Sequence, residues 1–258
     1  MPNIAVTVDN GVAEIVLSRP EALNAISSQL AGDLVEATDR LRADDAIRVV
    51  LLTADGDRAF CVGADLKERN GMSDAEILAQ RKVFRAAFGG VLDLPQPTVA
   101  GVHGFALGGG CELALSCDIV VADETATLGL PEVSIGLVPG GGGTQLALRR
   151  LGPGRAADVV LTGRRIGAEE AQAIGLVDRL VPAGSAKTAA RELAAHIAKN
   201  SPVATRAAKR ALRNGWGLDY AAAMDVEDAA WRTAATSADR REGIAAFNEK
   251  RPPVWPGQ

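Results

Sequence analysis

The sequence predicts an α/β protein with a helical C-terminal region, and three observations carry that reading. Short, β-branched apolar runs recur through the first two thirds of the chain. Helical-period stretches or glycine-rich loops separate them, which is the rhythm of βαβ construction. From about residue 143 onward alanine is dense and nearly every segment has helical period.

The elements follow in order. Ile4–Val8 and Val12–Leu17 flank Asp9-Asn10-Gly11, and Asn-Gly between apolar runs predicts a hairpin. Ile26, Leu30, Leu34, Val35, Thr38 and Leu41 recur at helical spacing, with Asn24 or Ser27 as the cap. Arg48–Thr53 is a continuous apolar run suited to a strand buried on both faces. Residues 54–71 (ADGDRAFCVGADLKERNG) read as a loop, and 74–92 as a helix ending near Pro95 and Pro97. Thr98–His103, Cys117–Ala122 and a short Thr127–Leu130 read as strands, with a helix running from the glycines at 108–110 through Ser116. The tail reads as helices at Gly143–Leu151, Gly154–Thr162, Ala168–Ile174, Ser185–Asn200, Pro202–Arg213, Leu218–Thr236 and Asp239–Glu249, interrupted by a strand-like Leu176–Val181. No repeat or low-complexity linker appears. The expected division is an active-site core over 1–195 and a helical region over 196–258.

Composition narrows the function classes. The 258 residues are 47% hydrophobic and 23% charged, ordinary for a globular chain, and only 3% aromatic, so the core is built from Ala, Val, Leu and Ile. A net charge of −4 without a long basic run speaks against nucleic acid as a partner. The pairs Arg149–Arg150, Arg164–Arg165 and Arg240–Arg241 are scattered and read as solvated charges at helix ends. The three cysteines, Cys61, Cys111 and Cys117, lack CxxC spacing and read as reduced packing residues, which suits a cytoplasmic protein. Two histidines, His103 and His196, are too few for a histidine-rich metal site, and none is expected. The N-terminus has no basic and apolar segments of a secretory signal. The window Val99–Ala122 is apolar, but His103, Glu112, Asp118 and five glycines argue against a membrane span.

Three stretches carry chemistry. In GFALGGGCELALSCDIVVA, Glu112 sits in an apolar run behind three glycines. Burying a carboxylate is costly unless it is paired, hydrogen-bonded or protonated. The run fits two readings: close helix–strand packing around a hydrogen-bonded glutamate, or a helix start whose free N–H groups hold an oxyanion beside an acid–base group. In LGLPEVSIGLVPGGGGTQ, Glu132 is either a plain loop carboxylate or, with Glu112, one of two desolvated carboxyls able to divide acid and base roles. In FCVGADLKE, small residues at Gly63 and Ala64 form an ordinary turn or leave an N–H open to a ligand. No dinucleotide or P-loop glycine pattern is present, and no GxSxG elbow of a serine hydrolase.

Taken in register, RPEALNA (Arg19–Ala25), FCVGADLKE, GFALGGGCELALSCDIVVA, LPEVSIGLVPGGGGTQ and TGRRIGAEEAQAIGLVDRLVP (Thr162–Pro182) resemble the enoyl-CoA hydratase/isomerase (crotonase) superfamily, 2-enoyl-CoA hydratases in particular. The tail GIAAFNEKRPPVWPG is similar to the family as well. The resemblance implies a crotonase-like spiral of ββα units, a C-terminal helical region that trimerises, and a homotrimer or a hexamer of two trimers. It implies a lyase of fatty acid metabolism acting on acyl-CoA thioesters, with coenzyme A part of the substrate and no further cofactor. The oxyanion hole then maps to the N–H groups of Ala64 and Gly109, and the catalytic glutamates to Glu112 and Glu132. Coenzyme A contacts map to Ala64, Asp65, Leu66 and Lys67, and to Phe247 and Lys250 from a neighbouring subunit's tail. The implied reaction is syn addition of water giving a 3-hydroxyacyl-CoA, the alternatives being double-bond isomerisation, another thioester transformation, or acyl-CoA binding without turnover. Two positions depart from the family: Leu146 stands where an arginine commonly follows GGTQ, and Gly141 where many hydratases carry alanine.

Overall fold

The computed structural model describes residues 3–258. The chain opens with β1 (Ile4–Asp9) and β2 (Val12–Leu17), an antiparallel pair closed by Asn10 and Gly11, both at positive φ as a tight hairpin turn requires. Helix α1 (Ser28–Arg42) follows, capped by Ser27, whose hydroxyl accepts the Leu30 N–H at 3.2 Å. Asn24, the other cap candidate, is instead fully buried, and its amide bridges the carbonyls of Asp55 and Ala59, pinning the loop before α1.

From β3 (Val49–Ala54) onward the chain winds through a recurring unit. It crosses to the short strand β4 (Ala59–Cys61), then passes through the one-turn α2 (Leu66–Arg69) and the long α3 (Asp74–Leu92). The next turn is β5 (Thr98–Val102), β6 (Phe105–Leu107) and α4 (Gly109–Leu115). The third is β7 (Ile119–Asp123), β8 (Thr127–Gly129), a 3-10 turn at Pro131–Ile135 and α5 (Gly143–Leu151). The first strand of each unit joins a six-stranded sheet ordered β1-β2-β3-β5-β7-β10, parallel except for β1–β2, and the second joins a smaller sheet ordered β4-β6-β8-β9. That alternation between two sheets is the ββα spiral of crotonase-like folds. After α6 (Pro153–Thr162), the two-residue β9 (Ile166–Gly167) closes the small sheet antiparallel to β8. Then come α7 (Ala168–Ile174), β10 (Arg179–Val181) and four helices: α8 (Ala186–Ala198), α9 (Pro202–Asn214), α10 (Tyr220–Ala235) and α11 (Ala238–Glu249).

Every residue of β3 is buried because each face has a cover. Val50 and Leu52 point into the main core with α1 and α3, while Val49 and Leu51 meet Ala190, Leu193 and Ala194 of α8. Period-two side-chain alternation thus splits one apolar run between two cores. Among the described residues no helix is long and apolar enough to cross a membrane. The strands β4, β6 and β9 and the helix α2 lie where the sequence predicts only loops or nothing. Each is two to four residues long, too short to show a period.

Candidate active site

Helix α4 starts where β6 ends, and its first turn lies hard against β4. A Cβ at Gly110 would overlap the Cys61 carbonyl, so only glycine lets the helix dock there. Glu112 stands one turn in and is 2% exposed. Its Oε1 accepts the N–H of Gly141 at 2.6 Å and of Gly143 at 2.7 Å, both from the run of four glycines that ends at the first residue of α5. Burial raises the Glu112 carboxyl above its ordinary value, against the pull of those N–H groups and of the Arg81 charge.

Glu132 lies in the Pro131–Ile135 turn. Its Oε1 is 3.0 Å from where a Cβ on Gly108 would stand. Its Oε2 is buried without a hydrogen-bond partner among the described residues. Burial, joined by the Glu112 charge, pushes its carboxyl up to about 7. The two acids are therefore electrostatic neighbours with opposite surroundings: Glu112 is gripped by amides, and Glu132 has an oxygen with nothing to hold.

Two N–H groups without acceptors among the described residues lie on neighbouring segments close by. A parallel bridge joins Ile26 and Ala64: Ile26 N–H donates to the Gly63 carbonyl at 2.7 Å and Asp65 N–H to the Ile26 carbonyl at 2.9 Å. A parallel bridge uses the residues on either side of its centre, so the Ala64 N–H faces away, without an acceptor among the described residues. Gly109, first residue of α4, likewise has a free N–H. The two segments are in contact, the Gly63 Cα lying 3.4 Å from a Cβ position on Gly109.

The remaining candidates are placed as follows. Asp65 caps α2, accepting the N–H groups of Lys67 and Glu68, and pairs with Arg19 at 3.1 Å. Its carboxyl is held low by those partners although burial opposes them. Leu66 and Lys67 are exposed beside it. Phe247, 83% exposed, and Lys250 lie at the end of α11, which packs on α9 and α10, and no hydrogen bond links them to the loops around Glu112. The structure thus brings Ala64, Gly109, Glu112 and Glu132 together, with 65–67 alongside and Phe247 and Lys250 apart. Sequence reasoning missed the amides of Gly141 and Gly143, for which the four-glycine run was the signal. The Phe88 ring of α3 also lies against Gly109 and Gly141. A separate cleft of about 850 Å³ between β1–β3, α8 and Pro252–Trp255 has its arginines occupied, Arg191 by Glu14 and Arg48 by the Ala198 carbonyl.

Comparison with known proteins supplies the context for this geometry. The sequence profile described as Enoyl-CoA hydratase/isomerase matches residues 7–258. Enoyl-CoA isomerase/hydratase fer4 of Mycosarcoma maydis is 41% identical over 257 residues, covering 96% of this chain and 93% of that protein. Human enoyl-CoA hydratase domain-containing protein 2, mitochondrial, is 41% identical over 254 residues, covering 97% and 87%. Among solved structures, the enoyl-CoA hydratase of Bacillus anthracis superposes with a TM-score of 0.96 at 41% identity, covering 99% of this chain and all of that one.

Proposed function

The chain belongs to the enoyl-CoA hydratase/isomerase family, and from that premise we propose that it hydrates 2-enoyl-CoA thioesters to 3-hydroxyacyl-CoA. The observation that carries the reading is the unlike pair of acids: Glu112 held by two amides, and Glu132 with a pKa of about 7 and a free oxygen. In this scheme the thioester carbonyl oxygen lies between the N–H groups of Ala64 and Gly109. Glu112 orients a water and takes its proton as the oxygen bonds to the β-carbon. The double-bond electrons move to the carbonyl oxygen, where the two amides stabilise the enolate. Glu132, protonated, gives its proton to the α-carbon on the same face, and exchange with solvent restores both acids. Losing one oxyanion donor costs roughly 10²–10³ in rate, and losing a positioned acid or base roughly 10²–10⁴.

The test is hydration of crotonyl-CoA by Glu112→Gln and Glu132→Gln. Each is expected to fall by at least about a hundredfold. Near-full activity in either removes that residue from the mechanism. Incubation with a 3-enoyl-CoA separates the isomerase reading, which needs one proton-shuttling acid. Isomerisation that survives Glu112→Gln while wild-type hydration stays negligible assigns the chain to isomerisation instead. The proposed assembly is a homotrimer or a pair of trimers, supported by the exposed Leu212, Trp216, Tyr220, Trp231 and Phe247 on or beside α9–α11. The three cysteines are unpaired and buried, which fits the proposed cytoplasmic setting.

A further inference from the structure

Helix α3 places Arg81, Phe84 and Phe88 on one face, three and seven residues apart. The inner end of that face is at the reacting centre: the Phe88 ring lies 3.3 Å from a Cβ position on Gly109 and 2.7 Å from one on Gly141. Phe84 stands edge-on to Phe88, with centroids 6.4 Å apart. The outer end carries two cations. The Arg69 guanidinium lies over the Phe84 ring at 5.1 Å, and Arg81 Cζ is 3.6 Å from a Cβ position on Gly140, the neighbour of the Gly141 amide that holds Glu112. An aromatic wall therefore starts beside the two glutamates and ends at two guanidiniums.

Neither guanidinium has an ion-pair partner among the described residues. Arg69 donates to Gln80 Oε1 at 2.8 Å, and Arg81 makes no side-chain hydrogen bond among those residues. The carboxylate beside Arg69, Glu68, is taken by the Ser28 N–H and the Gln80 amide. Other arginines of this chain are saturated, Arg164 by Asp158 and Glu170, and Arg251 by Glu242 and Glu249. Burial and the Arg81 charge hold Arg69 below its ordinary value although the nearby Glu68 charge opposes them, and the same Arg81 charge reaches Glu112. Two neighbouring guanidiniums, neither in a direct ion pair, are an arrangement that a bound anion relieves.

We propose that the preferred substrate is an enoyl-CoA whose acyl chain ends in a carboxylate, received by Arg81 with Arg69 beside it at the outer end of the Phe84–Phe88 wall. The inference rests on the hydratase reading and names its substrate class. A guanidinium takes a carboxylate through paired N–H donors. Coenzyme A phosphates offer similar chemistry, but the place of Arg81, over the loop that grips Glu112, assigns it to the acyl end.

Two thioesters of similar size separate these cases: glutaconyl-CoA, whose five-carbon chain ends in a carboxylate, and the uncharged hex-2-enoyl-CoA. Wild-type kcat/KM is expected to favour glutaconyl-CoA by about tenfold or more, the scale of one charge-assisted hydrogen bond. Arg81→Gln is expected to erase that ratio and Arg81→Lys to keep part of it. The proposal is overturned if the wild type favours hex-2-enoyl-CoA or if Arg81→Gln lowers both substrates equally. It is also overturned if Arg81→Gln weakens inhibition by acetyl-CoA by the same factor, which would assign the arginine to a coenzyme A phosphate. If neither thioester is hydrated, the hydratase reading fails, and the ratio of their equilibrium dissociation constants, with and without Arg81→Gln, still decides this one.

Discussion

At the residue scale, Glu112 and Glu132 show how one protein makes two carboxyls unlike. Glu112 is the more deeply buried, yet its ionised form keeps two amide donors. Glu132 is half-buried but has an oxygen with no donor, and the charge of Glu112 adds to its burial. In the proposed hydration, the acid that protonates the α-carbon is therefore present up to a pH of about 7. The expected outcome is a kcat/KM for hydration that declines as pH rises through that value, a limb that the residual activity of Glu132→Gln lacks. The same shift has an opposite consequence for stability. A carboxyl raised from 4.5 to about 7 by folding opposes folding wherever the unfolded chain has already ionised it. That opposition is absent below the unfolded value, grows between the two, and is complete above the folded one. Glu132→Gln should therefore melt higher than wild type at about pH 8 and match it near pH 4. A thermal scan at both pH values checks this, and a variant that melts lower at high pH contradicts it.

At the scale of elements, the glycine at 141 has a steric reason. A methyl there would lie 2.7–2.8 Å from three atoms of the Phe88 ring, which is 5% exposed and braced by Phe84. Helix α3 brings a large ring to the place where an alanine side chain would go, so glycine and phenylalanine fit as a pair. Gly141→Ala is expected to push the glycine loop outward, loosen the 2.6 Å bond to Glu112 and cost about 1–3 kcal/mol of stability. Phe88→Leu in the same chain should recover part of both stability and hydration rate. A double-mutant cycle on denaturant melts checks it, and additivity within about 0.5 kcal/mol would mean that the ring and the loop are independent. The long elements were legible because period and caps are local: α3 runs over 74–92 as its spacing predicts, and the Asn10-Gly11 hairpin closes where the dipeptide says. Glu112 was conspicuous because a carboxylate in an apolar run needs a reason. What was not legible is tertiary. That the Ala64 N–H is free follows from a bridge to Ile26, 38 positions earlier, and that Glu112 is gripped at 141 and 143 follows from where α5 docks. Neither leaves a periodic trace in the sequence.

At the scale of the whole molecule, the C-terminal helices are joined to the spiral by a partly buried charge cluster. Asp118, at the entry to β7, takes Lys209 at 2.8 Å and Arg213 at 2.6 Å, both from α9, and the Thr98 N–H and hydroxyl from β5. Lys209 also donates to the Gln96 carbonyl, and Arg213 to those of Leu92 and Ser116. The cluster thus ties α9 to two strands of the large sheet, to the end of α3 and the chain after it, and to the residue that follows α4. Burial alone would raise the Asp118 carboxyl, but the two cations outweigh it and hold it below its ordinary value. The linkage is fully present above the unfolded value near 3.8 and is lost as pH falls through the lower folded one. Removing the carboxylate leaves Lys209, 7% exposed, without its counter-ion, and breaking a buried pair in that way costs about 3–5 kcal/mol. The loss falls first on α9, and through α9 on α10 packed against it. Asp118→Ala is therefore expected to accelerate amide hydrogen exchange across α9–α11 ahead of the sheet, and to shift the mass seen by light scattering from the proposed trimer toward monomer. If exchange rises evenly over the whole chain, the cluster is a general stabiliser and not the joint between spiral and helical region. If α9–α11 open while the assembly stays intact, the contacts between subunits do not depend on this anchor.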